Sequence, residues 1–417
     1  MFTGIKILFD VIVARGALTI IDANGTSHDF GDGSGRRVVV RLKDRSQYWK
    51  LAFNPALHLG EAYMDGDLVV EEGTVRDLLE ILLSNLNRRW PRSLRILETL
   101  RILVRRLHQY NPVKRARRNV AHHYDLDGAL YELFLDTDRQ YSCAYFESPD
   151  ASLEAAQLAK KRHLASKLMI RDRQQVLDIG SGWGGLGLYL AGLADVSVTG
   201  LTLSEEQHAL SRERARVAGL GERVDFRLED YRHVDGQFDR VISVGMFEHV
   251  GVGHYREFFD KVSDVLTDDG IAVLHSIGRF DGPGATNPWI DKYIFPGGYV
   301  PALSEVMPVI ERSGLFVTDV EILRKHYAFT LEEWLARFTS RWDAASAIYD
   351  ERFCRMWEFY LAGSELSFLH QDLMVFQIQM SKSLDAVPLT RDYMFEWENL
   401  RRREESDQFG PKRMAGE

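Results

Sequence analysis

Between Gly16 and about Val70 the chain alternates short β-branched runs with turn-forming clusters: Leu18-Thr-Ile-Ile21 and Val38-Val-Val-Arg-Leu42 are set off by Asp22-Ala-Asn-Gly25 and Gly31-Asp-Gly-Ser-Gly35. Runs of this length bounded by Gly, Asn and Asp suit short strands and their turns, so a small β-rich unit is predicted. The period then lengthens. Val75, Leu78, Leu79, Leu82 and Leu83 share one helical face behind a capping Thr74, which predicts a helix over 74–86. Leu94, Leu97, Leu100, Val104 and Leu107 continue near helical spacing through a stretch rich in Arg. From about Gln175 strands and helices alternate: strands are predicted at 176–179, 196–203, 224–228, 238–244 and 271–277, with helices at 185–193, 204–219 and 255–266. That rhythm belongs to a parallel doubly wound sheet, hence an α/β fold with a Rossmann-like domain preceded by the small β-rich one. Beyond Leu331 the chain reads as mostly helical and aromatic, with Trp334, Phe338, Trp342 and Trp357 predicted to pack a core or line a tunnel for an apolar substrate. The resulting division is an N-terminal accessory domain (1–87), a basic linker or helix (88–118), a catalytic domain (119–395) and a polar C-terminal tail (396–417).

A chain of 417 residues is long enough for two domains with a sizeable core. Hydrophobic residues are 45% and charged residues 27%, which argues against a disordered or fibrous chain. The net charge of -9 hides an asymmetry: Arg88–Arg118 holds eleven Lys or Arg against the single acid Glu98, so this segment is +10 and the remainder -19. A membrane-surface helix and a packed linker helix with solvated arginines both account for it. Nucleic acid does not, because the rest of the chain is acidic and no zinc finger or RNA-binding signature is present. Two cysteines, Cys143 and Cys354, suggest neither a disulfide framework nor a zinc site and suit a reducing cytosol. The apolar opening is broken by Lys6, Asp10 and Arg15, so it is read as neither a signal peptide nor a span. His28 and His58 stand outside any cluster, and no metal site is expected.

The chemistry begins at Val176-Leu-Asp-Ile-Gly-Ser-Gly-Trp-Gly-Gly185, a predicted strand, glycine loop and helix start. Glycines let the backbone approach a ligand, and amides at a helix start point toward it. A dinucleotide loop would place an acid about 20 residues after the first glycine, and Val198-Thr-Gly-Leu-Thr-Leu203 has none. The Gly-Lys-Ser/Thr ending of a P-loop is also missing. The segment instead resembles the first motif of S-adenosylmethionine-dependent methyltransferases. Asp178 fits a cofactor contact and a loop-bracing carboxylate equally well, and Asp230-Tyr231 stands where such enzymes engage the adenine.

Further segments follow in order: His123-Tyr-Asp125, Tyr141-Ser-Cys-Ala-Tyr-Phe146, Gly200-Leu-Thr-Leu-Ser204, Gly245-Met-Phe-Glu-His-Val-Gly251, Leu274-His-Ser-Ile-Gly278 and Ile294-Phe-Pro-Gly-Gly-Tyr299. Together, over roughly 121–382, they resemble the cyclopropane-fatty-acid synthases and the related cyclopropane mycolic acid synthases. The accessory domain and basic linker look like the phospholipid-modifying branch. The resemblance implies transfer of a methylene from S-adenosylmethionine to a cis double bond of an acyl chain, leaving S-adenosylhomocysteine, through a carbocation deprotonated by a bound bicarbonate. It implies bicarbonate ligands at Cys143, Glu248, His275, Ile277 (main chain) and Tyr327, and burial is expected to raise the Glu248 pKa.

Cofactor contacts implied in the same way are Tyr141, Ser142, Gly180, Gly182, Thr202, Leu203 and Gln207, with Asp178, Asp230 and Tyr231. Asp230-Tyr-Arg232 departs from the Gly-Trp-Glu of the mycolic branch at the adenine edge. The expected partners are unsaturated phospholipids at the inner face of a bacterial membrane, with the enzyme cytoplasmic and peripheral, and a homodimer formed through the N-terminal domain. Rival readings are a methyl-branching or methylene-forming fatty-acyl methyltransferase, a small-amine N-methyltransferase of the same fold, and a silent lipid-binding protein.

Overall fold

The computed structural model describes residues 2–86 and 128–409; the basic segment 88–118 and His123-Tyr-Asp125 lie outside them. The N-terminal unit contains four strands, β1 (Ala17–Ile21), β2 (Ser27–Phe30), β3 (Arg37–Leu42) and β4 (Leu68–Glu72), in the order β2-β1-β3-β4. Asp22 makes the first turn, its Oδ1 accepting from Asn24 N–H at 2.8 Å and Thr26 N–H at 3.0 Å. The strand pattern places Leu18, Ile20, Phe30, Val38 and Val40 in one core, but helices complete it. The apolar opening is the helix Thr3–Ile12, which buries Ile5, Phe9 and Ile12 against that core. Helices Ser46–Phe53 and Pro55–Met64 sit between β3 and β4, so the expected β-rich unit is mixed. Thr74 caps the next helix, Val75–Leu86, in a reciprocal box: Asp77 N–H donates to its Oγ1 at 3.1 Å, and its own N–H donates to Asp77 Oδ2 at 2.9 Å.

The second sheet has seven strands: β5 (Gln175–Ile179), β6 (Ser197–Thr202), β7 (Val224–Leu228), β8 (Phe238–Val244), β9 (Leu266–Arg279), β10 (Phe316–Leu323) and β11 (Leu373–Ser381). Their order is β10-β11-β9-β8-β5-β6-β7, and only β11 pairs antiparallel, with both β9 and β10. The Rossmann-like core is therefore as expected, and the stretch beyond Leu331 is mostly helical as expected, with β11 the one strand within it among the described residues. Its burial is nearly complete along its length, and the polar Gln377 and Gln379 are held inside, the former donating from Nε2 to His275 Nδ1 at 3.1 Å and the latter from Nε2 to Lys167 O at 2.6 Å and Tyr393 Oη at 2.8 Å. A strand covered on both faces shows no polar face to mark it. The polar stretch expected as a tail from 396 continues the helix Asp392–Phe409. It docks through Glu398, which meets His163 Nδ1 at 2.6 Å, and through the pairs Arg162–Glu405 and Arg402–Glu147.

The two units share a core, since Met64, Val75 and Leu79 pack with Trp289, Tyr360, Leu361 and Leu366. Arg76 crosses this contact to Glu365 on the helix Glu351–His370, with Nη2 to Oε1 at 2.5 Å and Nε to Oε2 at 3.0 Å. Glu365 is 1% exposed and Arg76 31%. Arg76→Met is expected to cost about 2–3 kcal/mol in urea unfolding, below the roughly 3–5 of a fully buried pair because water reaches Arg76. Adding Glu365→Leu should recover much of that loss, since the penalty lies in the stranded carboxylate.

Candidate active site

In a doubly wound sheet, ligands bind beyond the strand carboxyl ends where the chain order reverses, here between β5 and β8. A cavity opens there. All ten cofactor residues expected from the sequence line it: Tyr141, Ser142, Asp178, Gly180, Gly182, Thr202, Leu203, Gln207, Asp230 and Tyr231. Gly180 (φ +88°), Gly182 (φ +54°) and Gly184 (φ +83°) turn the loop, and the Gly180 and Ser181 amides anchor it to Leu201 O at 3.0 and 2.8 Å. At the end of β6, Thr202 Oγ1 donates to Gln207 Oε1 at 2.8 Å, and Ser204 caps the helix Glu205–Val217 by accepting from Gln207 N–H at 3.3 Å. This polar shelf stands where a dinucleotide enzyme would carry its acid. Arg232 also lines the cavity and grips Asp230 with Nε at 2.8 Å and Nη2 at 2.7 Å, holding that carboxyl below its usual range against the opposing effect of burial.

Asp178 lines the cavity from β5. It is 1% exposed, its Oδ2 has no hydrogen-bond partner among the described residues, and burial pushes its pKa up to about 7. An unpartnered carboxylate oxygen favours the cofactor-contact reading of Asp178 over the loop-bracing one. The glycine cradle, the Thr202–Gln207 shelf and the unsatisfied Asp178 fit a nucleoside carrying hydrogen-bond donors.

The five other expected residues lie outside this cavity's lining. Glu248 sits on the short turn Phe247–His249 after β8, next to the cavity-lining His249. Its Oε1 accepts from Ile277 N–H at 2.6 Å, and burial raises its pKa to about 7, in the direction expected. Ile277 N–H is thus committed to orienting Glu248. His275, two residues earlier on β9, receives Gln377 Nε2 at Nδ1 (3.1 Å), and burial keeps its ring neutral at physiological pH. Cys143 is 1% exposed and burial keeps it a thiol. Tyr327, in the first turn of the helix His326–Ser340, shares an apolar cluster with Cys143, and Ile277 packs against it. Thr330 on that helix accepts from Ala144 N–H at 3.0 Å, which fixes the 141–146 strip against the helix.

Sequence reasoning missed the helix Leu153–Leu168 that holds the strip from the other side. Gln157 Nε2 donates to Ser142 O at 3.0 Å, and Lys160 Nζ donates to Gln140 Oε1 at 2.6 Å and Ser142 Oγ at 2.8 Å. The signal was a Gln and a Lys three residues apart on one face, which in isolation reads as solvated.

The family profile described as mycolic acid cyclopropane synthetase matches residues 111–378. The chain belongs to this family. A second profile, described as a domain of unknown function, matches residues 14–89. The chain is 37% identical over 348 residues to the cyclopropane-fatty-acyl-phospholipid synthase of Escherichia coli (strain K12), covering 83% of this chain and 88% of that one. It is 36% identical over 368 residues to a probable fatty acid methyltransferase of Pseudomonas putida, covering 84% and 89%. Among solved structures, the mycolic acid cyclopropane synthase CmaA1 complexed with SAH and CTAB superposes with a TM-score of 0.61 at 32% identity, covering 65% of this chain and 99% of that one. The resemblance read from the sequence is therefore correct. This member of the family is an S-adenosylmethionine-dependent methyltransferase, and among its described residues no helix is long and apolar enough to cross a membrane.

Proposed function

We propose that the enzyme converts cis double bonds of unsaturated phospholipid acyl chains into cyclopropane rings at the inner face of a bacterial membrane. Bound S-adenosylmethionine supplies an electrophilic methyl group. An alkene attacked by it becomes a carbocation, which closes the ring only when the new methyl group loses a proton. The base this reading assigns is a bicarbonate ion, with Cys143, Glu248, His275, Ile277 and Tyr327 as its surroundings. The observation that carries the reading is Glu248, a buried carboxylate held at one oxygen by Ile277 N–H and acted on by the Ser276 hydroxyl. With a pKa near 7 it can hold or pass on the proton that ring closure releases. The neutral His275 and the Tyr327 phenol add hydrogen-bonding groups without a competing charge. The +10 segment 88–118 is assigned to anionic headgroups, and a homodimer through the N-terminal unit would present two such segments together.

Expression in a host with unsaturated phospholipids, followed by lipid extraction and mass spectrometry, tests this. The expected product gains one CH2 per modified chain and loses its alkene. A methyl-branched product would carry two further hydrogens and a methylene-substituted one would keep an alkene. That second outcome is kept in the test because the probable fatty acid methyltransferase of Pseudomonas putida is about as similar to this chain as the Escherichia coli synthase. Unmodified lipids would remove both readings.

A further inference from the structure

We propose that Lys160 is the cation with which the cofactor cavity receives an oxyanion of a ligand, a carboxylate or carbonate group. Lys160 lines the cavity yet is 0% exposed. Two of its three ammonium protons go to neutral oxygens, Gln140 Oε1 and Ser142 Oγ. No carboxylate among the described residues lies within ion-pair distance of its Nζ, although the neighbouring Lys161 is paired with Asp138 at 2.5 Å. The carboxylates of Asp136 and Asp138 act on it from beyond ion-pair distance, and a buried ammonium with no carboxylate in contact is costly unless a ligand completes it. Burial lowers its pKa to about 8, an effect that a bound anion would reverse.

Two anions are within the chemistry of this site, and Lys160 stands between them. Its electrostatic neighbours include Asp178 on the cofactor side and Cys143 and His275 on the side assigned to bicarbonate. Paired with the unsatisfied Asp178 Oδ2, Lys160 offers one acidic and one basic group, a match for the zwitterionic end of an amino acid. The same ammonium, acting through Ser142 next to Cys143, also suits a carbonate oxygen. The inference rests on the pocket taking S-adenosylmethionine, and its test separates the two anions.

Lys160→Met keeps the apolar stem and removes the charge. Calorimetry would compare S-adenosylhomocysteine with 5′-methylthioadenosine, the same thioether nucleoside without the amino acid. If the cofactor carboxylate is the ligand, Lys160→Met weakens the first by roughly tenfold or more and leaves the second unchanged. If carbonate is the ligand, both affinities stay and the bicarbonate concentration for half-maximal turnover rises by roughly tenfold. Lys160→Arg, which keeps the charge, should recover part of either loss. Equal weakening of both nucleosides, no change in either assay, or collapse of the fold in both Lys160→Met and Lys160→Gln would each assign Lys160 a purely structural role and overturn the proposal. Failure of the unaltered protein to bind S-adenosylhomocysteine would instead overturn the cofactor reading beneath it.

Discussion

Glu248→Gln is expected to lower turnover by about 10²–10⁴-fold, the range for losing a proton-transfer group, while S-adenosylhomocysteine binding stays within roughly twofold. The substitution is nearly isosteric, and its amide oxygen can still accept from Ile277 N–H, so the turn Phe247–His249 should keep its place. What disappears is an oxygen that can take up a proton. Glu248 lies outside the cavity lining, which is why cofactor affinity should be spared. The pH dependence has a definite sign. With its pKa raised to about 7 by burial, Glu248 is protonated below that value and ionised above it. If the ionised form is the acceptor, kcat/KM of the unaltered enzyme rises as pH passes through about 7, and that limb is absent in Glu248→Gln. Parallel loss of turnover and cofactor binding, or a variant with full turnover, would take Glu248 out of the chemistry.

The second large effect is expected at Gly180, where Ala should weaken S-adenosylhomocysteine binding by about 10²-fold or more in calorimetry. A Cβ there would stand 2.7 Å from Met246 Cβ and 2.9 Å from Met246 Cγ, with the backbone at φ +88°. The left-handed backbone costs a non-glycine residue about 1–2 kcal/mol. Overpacking adds about 1–3 kcal/mol, and a binding loss of about 2.8 kcal/mol is already a hundredfold. The loop can relieve the strain only by leaving Met246, and both Gly180 and Met246 line the cavity. Gly219→Ala is the control, because its φ is +69° but its Cβ would meet nothing within 4 Å and the residue lies outside the lining. It should lose some stability and no affinity. Similar affinity losses in both variants would mean that backbone strain, not the Gly180–Met246 contact, governs the cofactor site.

The basic segment aside, most of the site was legible because its signals are local. Gly180, Gly182 and Gly184 announce their positive φ by being glycine, Ser204 announces a helix start by its spacing to Gln207, and each does its work within a few residues of its own position. The quintet Cys143, Glu248, His275, Ile277 and Tyr327 is proposed on resemblance alone. Its members are scattered over nearly 200 residues, and no local pattern connects them.

The amino-acid sequence alone therefore determined the Rossmann-like α/β class, the glycine loop with its cofactor shelf, and the family. Hydrophobic period and backbone permissiveness are properties of short segments and survive without the rest of the chain. Tertiary structure decided what depends on burial. It showed that Asp178 Oδ2 has no partner among the described residues, that Ile277 N–H is committed to Glu248, and that the Gln-bearing β11 is a buried strand. It also showed that Lys160 is an interior cation and that Arg76 joins the two units through Glu365. A polar side chain carries the same letter whether water or protein surrounds it, and only packing from distant segments removes the water.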